Sequence, residues 1–396
     1  MSTSSHDSNA SHRVRLQQTA VFCAAFVGLG LCGGAMGPSL AAHAARTGTQ
    51  LETISAVFIA IALGRLLSST GGAWLIDRLR GETQLIGGTL CAAAAIALVP
   101  FTMNLPALFI VLLIYGTAAN LLDIGANTLI VRVHGAQVGP YMNAMHLSFG
   151  VGGSIAPLIV GRSYAYTGDV AVAYWVNAGV LVLLALCMLR VPALPRMDAA
   201  QRAAQARTPR FMLVMLGAFF FFMVAVEVGG MQWTFAFGER LGLSREVGAA
   251  MLSSGFWWAY SAARLLAIPI SLRVRPGTYV AVDLVGTFLC ALIALIGLLV
   301  PTAQPLTWIG IIGMGFFIAS AFPSMMSFVG SRIPVTGSLN GLLFAASNIG
   351  AMVGPWTIGQ LFDVVGPLSL PLLAMLGMAA ALALFVVIGK GIGDRK

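Results

Sequence analysis

Residues 150–168 read GVGGSIAPLIVGRSYAYTG, and residues 348–366 read NIGAMVGPWTIGQLFDVVG. The two stretches stand 198 positions apart, half of the 396-residue chain. Gly152, Pro157, Gly161 and Gly168 in the first fall opposite Gly350, Pro355, Gly359 and Gly366 in the second. Two weaker echoes keep almost the same spacing. GlyArgLeuLeu at 64–67 returns as AlaArgLeuLeu at 263–266, and Gly33-Gly34 returns as Gly229-Gly230. Chance likeness between apolar helices does not hold several matches at nearly one offset. The chain therefore reads as a parallel duplication, with each half carrying the same run of segments.

Those segments are apolar enough for lipid. Charged residues make up 9% of the chain and hydrophobic ones 58%, against about 25% charged in an ordinary soluble domain. So few charges could not cover so much apolar surface in water. The net charge of +9 does not point to nucleic acid, because the basic residues stand singly between apolar runs. Cys23, Cys32, Cys91, Cys187 and Cys290 lie in apolar stretches without a CxxC pair. They read as small core hydrophobes, not as metal ligands or disulfides.

A helix needs about 20 apolar residues to cross the hydrocarbon layer. Twelve spans are predicted, at 18–43, 53–76, 84–103, 106–131, 140–161, 170–190, 211–237, 247–271, 278–300, 305–329, 337–362 and 367–389. The first follows Arg13 and Arg15, and Ala42-His43-Ala44 mimics a signal-peptidase site. Its apolar run, from Thr19 to Ala42, exceeds the core of a signal peptide, so it reads as a retained helix. The basic stretch 191–210, VPALPRMDAAQRAAQARTPR, divides six spans from six. With a cytoplasmic N-terminus, sixteen basic residues fall inside and four outside, leaving Arg65 and Arg264 within spans. The bias places the 1–17 tail, the linker and the 390–396 tail in the cytoplasm. The expected fold is all-α and integral to the membrane: twelve transmembrane helices in two pseudo-symmetric six-helix bundles, 18–190 and 211–389.

Charges deep in hydrocarbon are costly and usually face a cavity or a partner. Here they are Arg65, Asp123, His146, Glu227 and Arg264. Asn120, Asp123 and Asn127 share one face of span four, either lining a cavity or fixing a helix contact. Counted from the short loop between spans four and five, Asp123 and His146 lie at similar depth, where a carboxylate beside an imidazole can hold or pass a proton. Glu227, with Gln232 and Trp233 within two turns, suits a hydroxylated ligand: the acid and amide take hydroxyls, and the indole stacks on the apolar ring face. The alternative pairs Glu227 with Arg264 for structure alone. On span eight, Trp257, Tyr260 and Arg264 follow at helical spacing about ten residues inside the span, too deep for an interfacial belt. Asn348, at the head of the second repeat copy, joins the predicted binding set. Asp77 and Asp283 lie near helix ends, where a structural role is expected. No Walker loop, metal-ligand spacing or nucleophile elbow is present, so neither an enzyme nor an ATP-driven pump is expected, and no cofactor.

The segments GTAANLLDIGAN (116–127), MNAMHLSFGVGGSIAP (142–157), EVGGMQW (227–233), FWWAYSAARLL (256–266) and GFFIASAFPSM (315–325) resemble the major facilitator superfamily. More narrowly, they are similar to its fucose–galactose–glucose proton symporters and related bacterial permeases. The resemblance implies that Asp123, with Asn127 a turn later, is the proton-linked acid. It also implies that Glu227, Trp233, Trp257 and Arg264 belong to the solute site. GGAWLIDRLRG at 71–81 resembles the superfamily's loop between spans two and three, which implies a gating or structural role for Asp77 and Arg78, alongside Arg65.

The reading that results is a monomeric secondary transporter of the bacterial-type inner membrane. It moves a small solute, a sugar or other hydroxylated metabolite, by alternating access with proton coupling through Asp123, His146 or Glu227. Its expected partners are that solute, protons and lipid. Two alternatives stay open: an exporter of amphipathic drugs or metabolites, and a non-transporting sensor on the same fold.

Overall fold

In a computed structural model, residues 3–76, 81–135, 138–190, 209–271, 273–333 and 337–393 are described. Asp77, Arg78, nearly all of the 191–210 linker and the last residues of the C-terminal tail lie outside them. The described residues are almost wholly helical. In chain order the helices are α1 (Thr3–Thr47), α2 (Leu51–Ile54), α3 (Ala56–Ile76), α4 (Gly81–Leu98), α5 (Leu105–His134), α6 (Val138–Thr167) and α7 (Ala171–Met188). Then come α8 (Arg210–Arg240), α9 (Ala250–Ser271), α10 (Pro276–Leu299), α11 (Gln304–Ile318), α12 (Ala321–Gly330), α13 (Gly337–Val365) and α14 (Ser369–Gly393).

Ten stretches of the described residues are long and apolar enough to cross a membrane. The last of them, Gly341–Gly391, runs through both α13 and α14, which meet at a turn over Gly366–Leu368. Helix α9 is not among the ten, because its serines, Tyr260 and Arg264 dilute its apolar character. The run Thr19–Ala42 lies within the single helix α1, which reaches back to Thr3 and on to Thr47. Two expected spans are broken. The second turns at Ser55, between α2 and α3, and the tenth at Ala319-Ser320, between α11 and α12. The second break has a covalent cause. Pro323 has no N–H to return to the carbonyl of Ala319, four residues back.

The duplication is visible in the packing. Helix α1 lies along α6 as α8 lies along α13; α3 meets α5 as α9 meets α11; α4 meets α7 as α10 meets α14. Repeat glycines allow the closest of these approaches. A Cβ at Gly152 would run into the Val27 carbonyl of α1, and one at its counterpart Gly350 into the Phe221 carbonyl of α8. The first group of helices meets the second along α6–α9, α3–α13 and α1–α8.

Large apolar side chains such as Leu67, Leu183, Val214 and Leu376 stand on the outside. A lipid-facing surface requires this, and water would penalise it. It also explains why Cys91 and Cys187 are exposed while Cys32 and Cys290 are buried. The cysteines behave as apolar residues wherever they fall, not as core residues only.

Candidate solute and coupling site

The deep polar residues gather at two places, each built around one of the repeat-related arginines Arg65 and Arg264. On α3 and α5, Arg65 Nη2 lies 2.9 Å from Asp123 Oδ2. Asn127 Nδ2 donates to Asp123 Oδ1 at 2.8 Å and to the Asp123 backbone carbonyl at 2.9 Å. Asp123 thus has both oxygens engaged, one by a cation and one by an amide. Asn120 is buried on the same face, but its amide donates to Ser68 Oγ at 2.7 Å, Ser69 Oγ at 3.0 Å and the Arg65 carbonyl at 3.1 Å. It ties α5 to α3.

His146 is not brought to Asp123. Its ring meets the edge of Phe26 on α1, with centroids 5.3 Å apart, and Arg264 is the charge within electrostatic reach of it. Depth along two helices fixed their height but not the direction each side chain takes around its axis.

In the second half, Glu227 on α8 is buried. Its Oε1 accepts from the Tyr260 hydroxyl at 2.5 Å and lies 3.7 Å from Arg264 Nη2. The Arg264 guanidinium sits over the Tyr260 ring, 4.6 Å from its centroid, and its Nε donates to the Ala319 carbonyl at 3.2 Å. Trp257, one turn away on α9, lies across the seam between the two groups of helices. Its ring meets Phe149 of α6 at a centroid distance of 5.7 Å and covers Gly153, where a Cβ would collide with it.

Several buried polar atoms here have no hydrogen-bond partner among the described residues: Trp257 Nε1, Gln232 Oε1 and Arg65 Nε. Gln232 keeps its other end engaged, with Nε2 donating to the Gly33 carbonyl of α1 at 3.3 Å. Buried polar groups are almost always paired, and Trp257 Nε1 and Gln232 Oε1 are exceptions on helices that meet across the two groups.

Trp233 differs. It is fully buried, its Nε1 donates to the Pro355 carbonyl at 2.8 Å, and its ring packs on Phe362 at 4.8 Å. It faces α13, with no donor left for a ligand. Asn348 is half-buried on α13.

A further polar group, unforeseen from sequence, joins the helix ends opposite the chain termini. Arg240 Nη2 lies 3.0 Å from Asp363 Oδ1. Asp363 Oδ2 accepts from the Glu52 backbone N–H at 3.2 Å, and Gln360 Nε2 donates to the Glu52 carbonyl at 2.9 Å. Arg245 packs over the Tyr164 ring at 4.4 Å. These contacts draw α2 to α13 and α6 to the segment before α9. Nearby, buried His43 Nε2 lies 2.6 Å from the Tyr174 hydroxyl. Its place in a long apolar run was the one signal available for it.

Residues 19–355 match the Major Facilitator Superfamily. The chain belongs to this superfamily. It is 28% identical to Sodium-dependent glucose transporter 1A of Mus musculus over 93% of this chain and 95% of that one. It is 24% identical to Major facilitator superfamily domain-containing protein 4A of Homo sapiens over 90% of this chain and 88% of that one. Among solved structures, a point mutant of the nucleoside transporter NupG superposes with a TM-score of 0.74 at 16% identity, covering 95% of this chain and 99% of that one. As a major facilitator protein, the chain is a multi-pass membrane transporter, and its polar seam lies where the two groups of superfamily helices meet.

Proposed function

We propose that this transporter moves a monosaccharide or similarly hydroxylated solute, coupled to protons, by alternating access between two six-helix halves. Twelve spans result when α13 and α14 are counted separately and α9 is added despite its polar face. Both termini and the 191–210 linker are then cytoplasmic in a bacterial-type inner membrane, with the monomer as the working unit. The observation that carries the reading is the unpartnered pair Trp257 Nε1 and Gln232 Oε1 on the same seam as the Glu227–Tyr260–Arg264 cluster. A donor, an acceptor, a carboxylate and an aromatic face together are what a ring bearing hydroxyls needs. Relatives named as glucose and nucleoside transporters support a solute of that chemistry. Asp123, held between Arg65 and Asn127, is the proton carrier of this scheme.

The test is a thermal-shift screen of the purified protein against monosaccharides, nucleosides, organic acids and amphipathic drugs, since a ligand that binds the folded state raises the melting temperature. Stabilisation by a monosaccharide, lost in Trp257→Phe, is the expected result. Stabilisation by amphipathic drugs alone would replace this reading with the exporter.

A second reading, sodium coupling, is favoured by the name of the mouse relative. Uptake into proteoliposomes driven by a sodium gradient at equal pH on both sides separates it from proton coupling.

A further inference from the structure

Asp283 lies two turns inside α10 and is only 2% exposed, so it is not the helix-end charge its sequence position suggests. The Ser320 hydroxyl sits 3.1 Å from its Oδ1 and 3.0 Å from its Oδ2. Ser320 belongs to the break between α11 and α12. Beside this pair is a half-open, largely apolar hollow of about 180 Å³ whose rim includes the outward-facing Leu266, Ile270 and Val282 and whose polar lining is Asp283, Ser320 and Tyr279.

No cation pairs with Asp283 among the described residues. The charged and titratable groups on the surrounding elements are otherwise placed. Arg264 of α9 is held by Glu227 and Ala319. Lys390 stands in the last turn of α14. Arg273 is exposed ahead of α10, and Arg275 is its N-cap residue. Tyr279 of α10 lines the same hollow. Helices α11 and α12 carry no charged group. An ionised carboxylate in such surroundings, with one neutral hydroxyl for company, is severely penalised. It needs a positive partner, and a proton is the smallest.

The repeat shows that holding the helices together does not require an acid. At an offset of 199, Asp283 corresponds to Gln84, Ser320 to Leu121, Arg264 to Arg65 and Ala319 to Asn120. In the first half, buried Gln84 donates through Nε2 to the Leu121 carbonyl at 3.2 Å. A neutral amide thus links the same pair of helices at the same position, donating to a backbone carbonyl where Asp283 accepts from a side-chain hydroxyl. What the second half adds is ionisable chemistry at this position.

We propose that Asp283 is a proton-binding site separate from Asp123, with Ser320 as its hydrogen-bond partner and the α11–α12 break as its link to Arg264. The adjacent residues of the break serve both sides: Ala319 accepts from Arg264, which reaches Glu227, and Ser320 contacts Asp283. Gaining or losing the proton changes what Ser320 can donate to, and so biases the break beside the solute cluster. Only this last link rests on the transporter reading above; the proton site itself does not.

The experiment uses the full-length protein in proteoliposomes and a hydrophobic carbodiimide. The reagent takes up a protonated carboxyl in apolar surroundings, the O–H adding across C=N and rearranging to an N-acylurea. The adduct is mapped by peptide mass spectrometry across pH, with and without D-glucose as probe. An adduct on Asp283 is expected at low pH, falling about tenfold per pH unit above its midpoint. Asp283→Asn should remove it while eluting as a monodisperse peak, since Gln84 shows that an amide suffices at this place. No adduct on Asp283 at any pH at which the protein stays folded would overturn the proposal. So would an adduct abolished by sodium at constant pH, which would make this a sodium site. Because labelling needs no transport, failure to accumulate any sugar would defeat the solute reading and leave this one standing.

Discussion

Arg264 Nε donates to the carbonyl of Ala319 at 3.2 Å, and Ala319 is the residue whose helical partner Pro323 cannot supply. The proline opens the helix and the arginine of the neighbouring helix closes the gap, so the break and the Glu227 cluster form one unit. Pro323→Ala restores an N–H that competes for the same carbonyl. Restoring that N–H lets α11 and α12 join into one helix, which should raise the melting temperature and slow solute exchange at least tenfold. A variant that melts higher and transports at the original rate would show that the break is incidental. Arg264→Lys should weaken solute binding by a similar factor, because a single ammonium cannot meet Glu227 and Ala319 while lying flat on Tyr260.

Asp123→Asn tests coupling. Asparagine keeps the volume and can still accept from Asn127, but it fixes a neutral state and releases Arg65. Solute binding and counterflow exchange should persist within a few-fold, while accumulation driven by a pH gradient falls to background. Gradient-driven uptake by Asp123→Asn equal to that of the unaltered protein removes Asp123 from the coupling role.

Long apolar runs bounded by charged loops made the helices legible, and the repeated Gly–Pro–Gly spacing made the duplication legible. Both are local signals. The Asp123–Asn127 bond was readable for the same reason, since four residues make one helical turn. Partners brought from far along the chain were not. Nothing in sequence directs Arg65 to Asp123, 58 residues away, and away from His146. Trp233 shows the same limit: its orientation about α8 turned it to Pro355 and Phe362. The Asp363 contacts were invisible because they form where helix ends distant in sequence converge.

The glycines of the repeat make a stability prediction. A Cβ at Gly350 meets the Phe221 carbonyl, a backbone atom that cannot rotate away. Gly350→Ala should therefore cost about 1–3 kcal/mol despite alanine's better helix propensity. Gly179 of α7 has no atom within 4 Å of such a Cβ, so Gly179→Ala should be neutral or stabilise. Melting of the two variants in one detergent compares them directly. Equal melting temperatures would mean that α13 can shift off α8 without penalty.

The contacts around Asp363 predict how the molecule opens. In this structure Asp363 links α13 to Arg240 of α8 and to the Glu52 backbone of α2, while Gln360 adds a second bond to Glu52. Arg240 is half exposed, so the ion pair alone contributes little. The bond to the Glu52 N–H matters more, because that amide lies in the first turn of α2, where no helical carbonyl awaits it. Asp363→Ala removes both contacts, and Gln360→Ala removes the other bond to α2. Neither residue touches the Glu227 cluster, so the proposed solute contacts stay intact. Under the alternating access proposed above this end parts, and the double variant should shift the population toward the state open here. The readout is a cysteine placed at Ser55, which is fully buried beside Gly359. Its reaction with a membrane-impermeant maleimide from the side opposite the termini should speed up at least fivefold in the double variant. Unchanged reactivity, with melting temperature also unchanged, would mean these bonds do not hold this end closed.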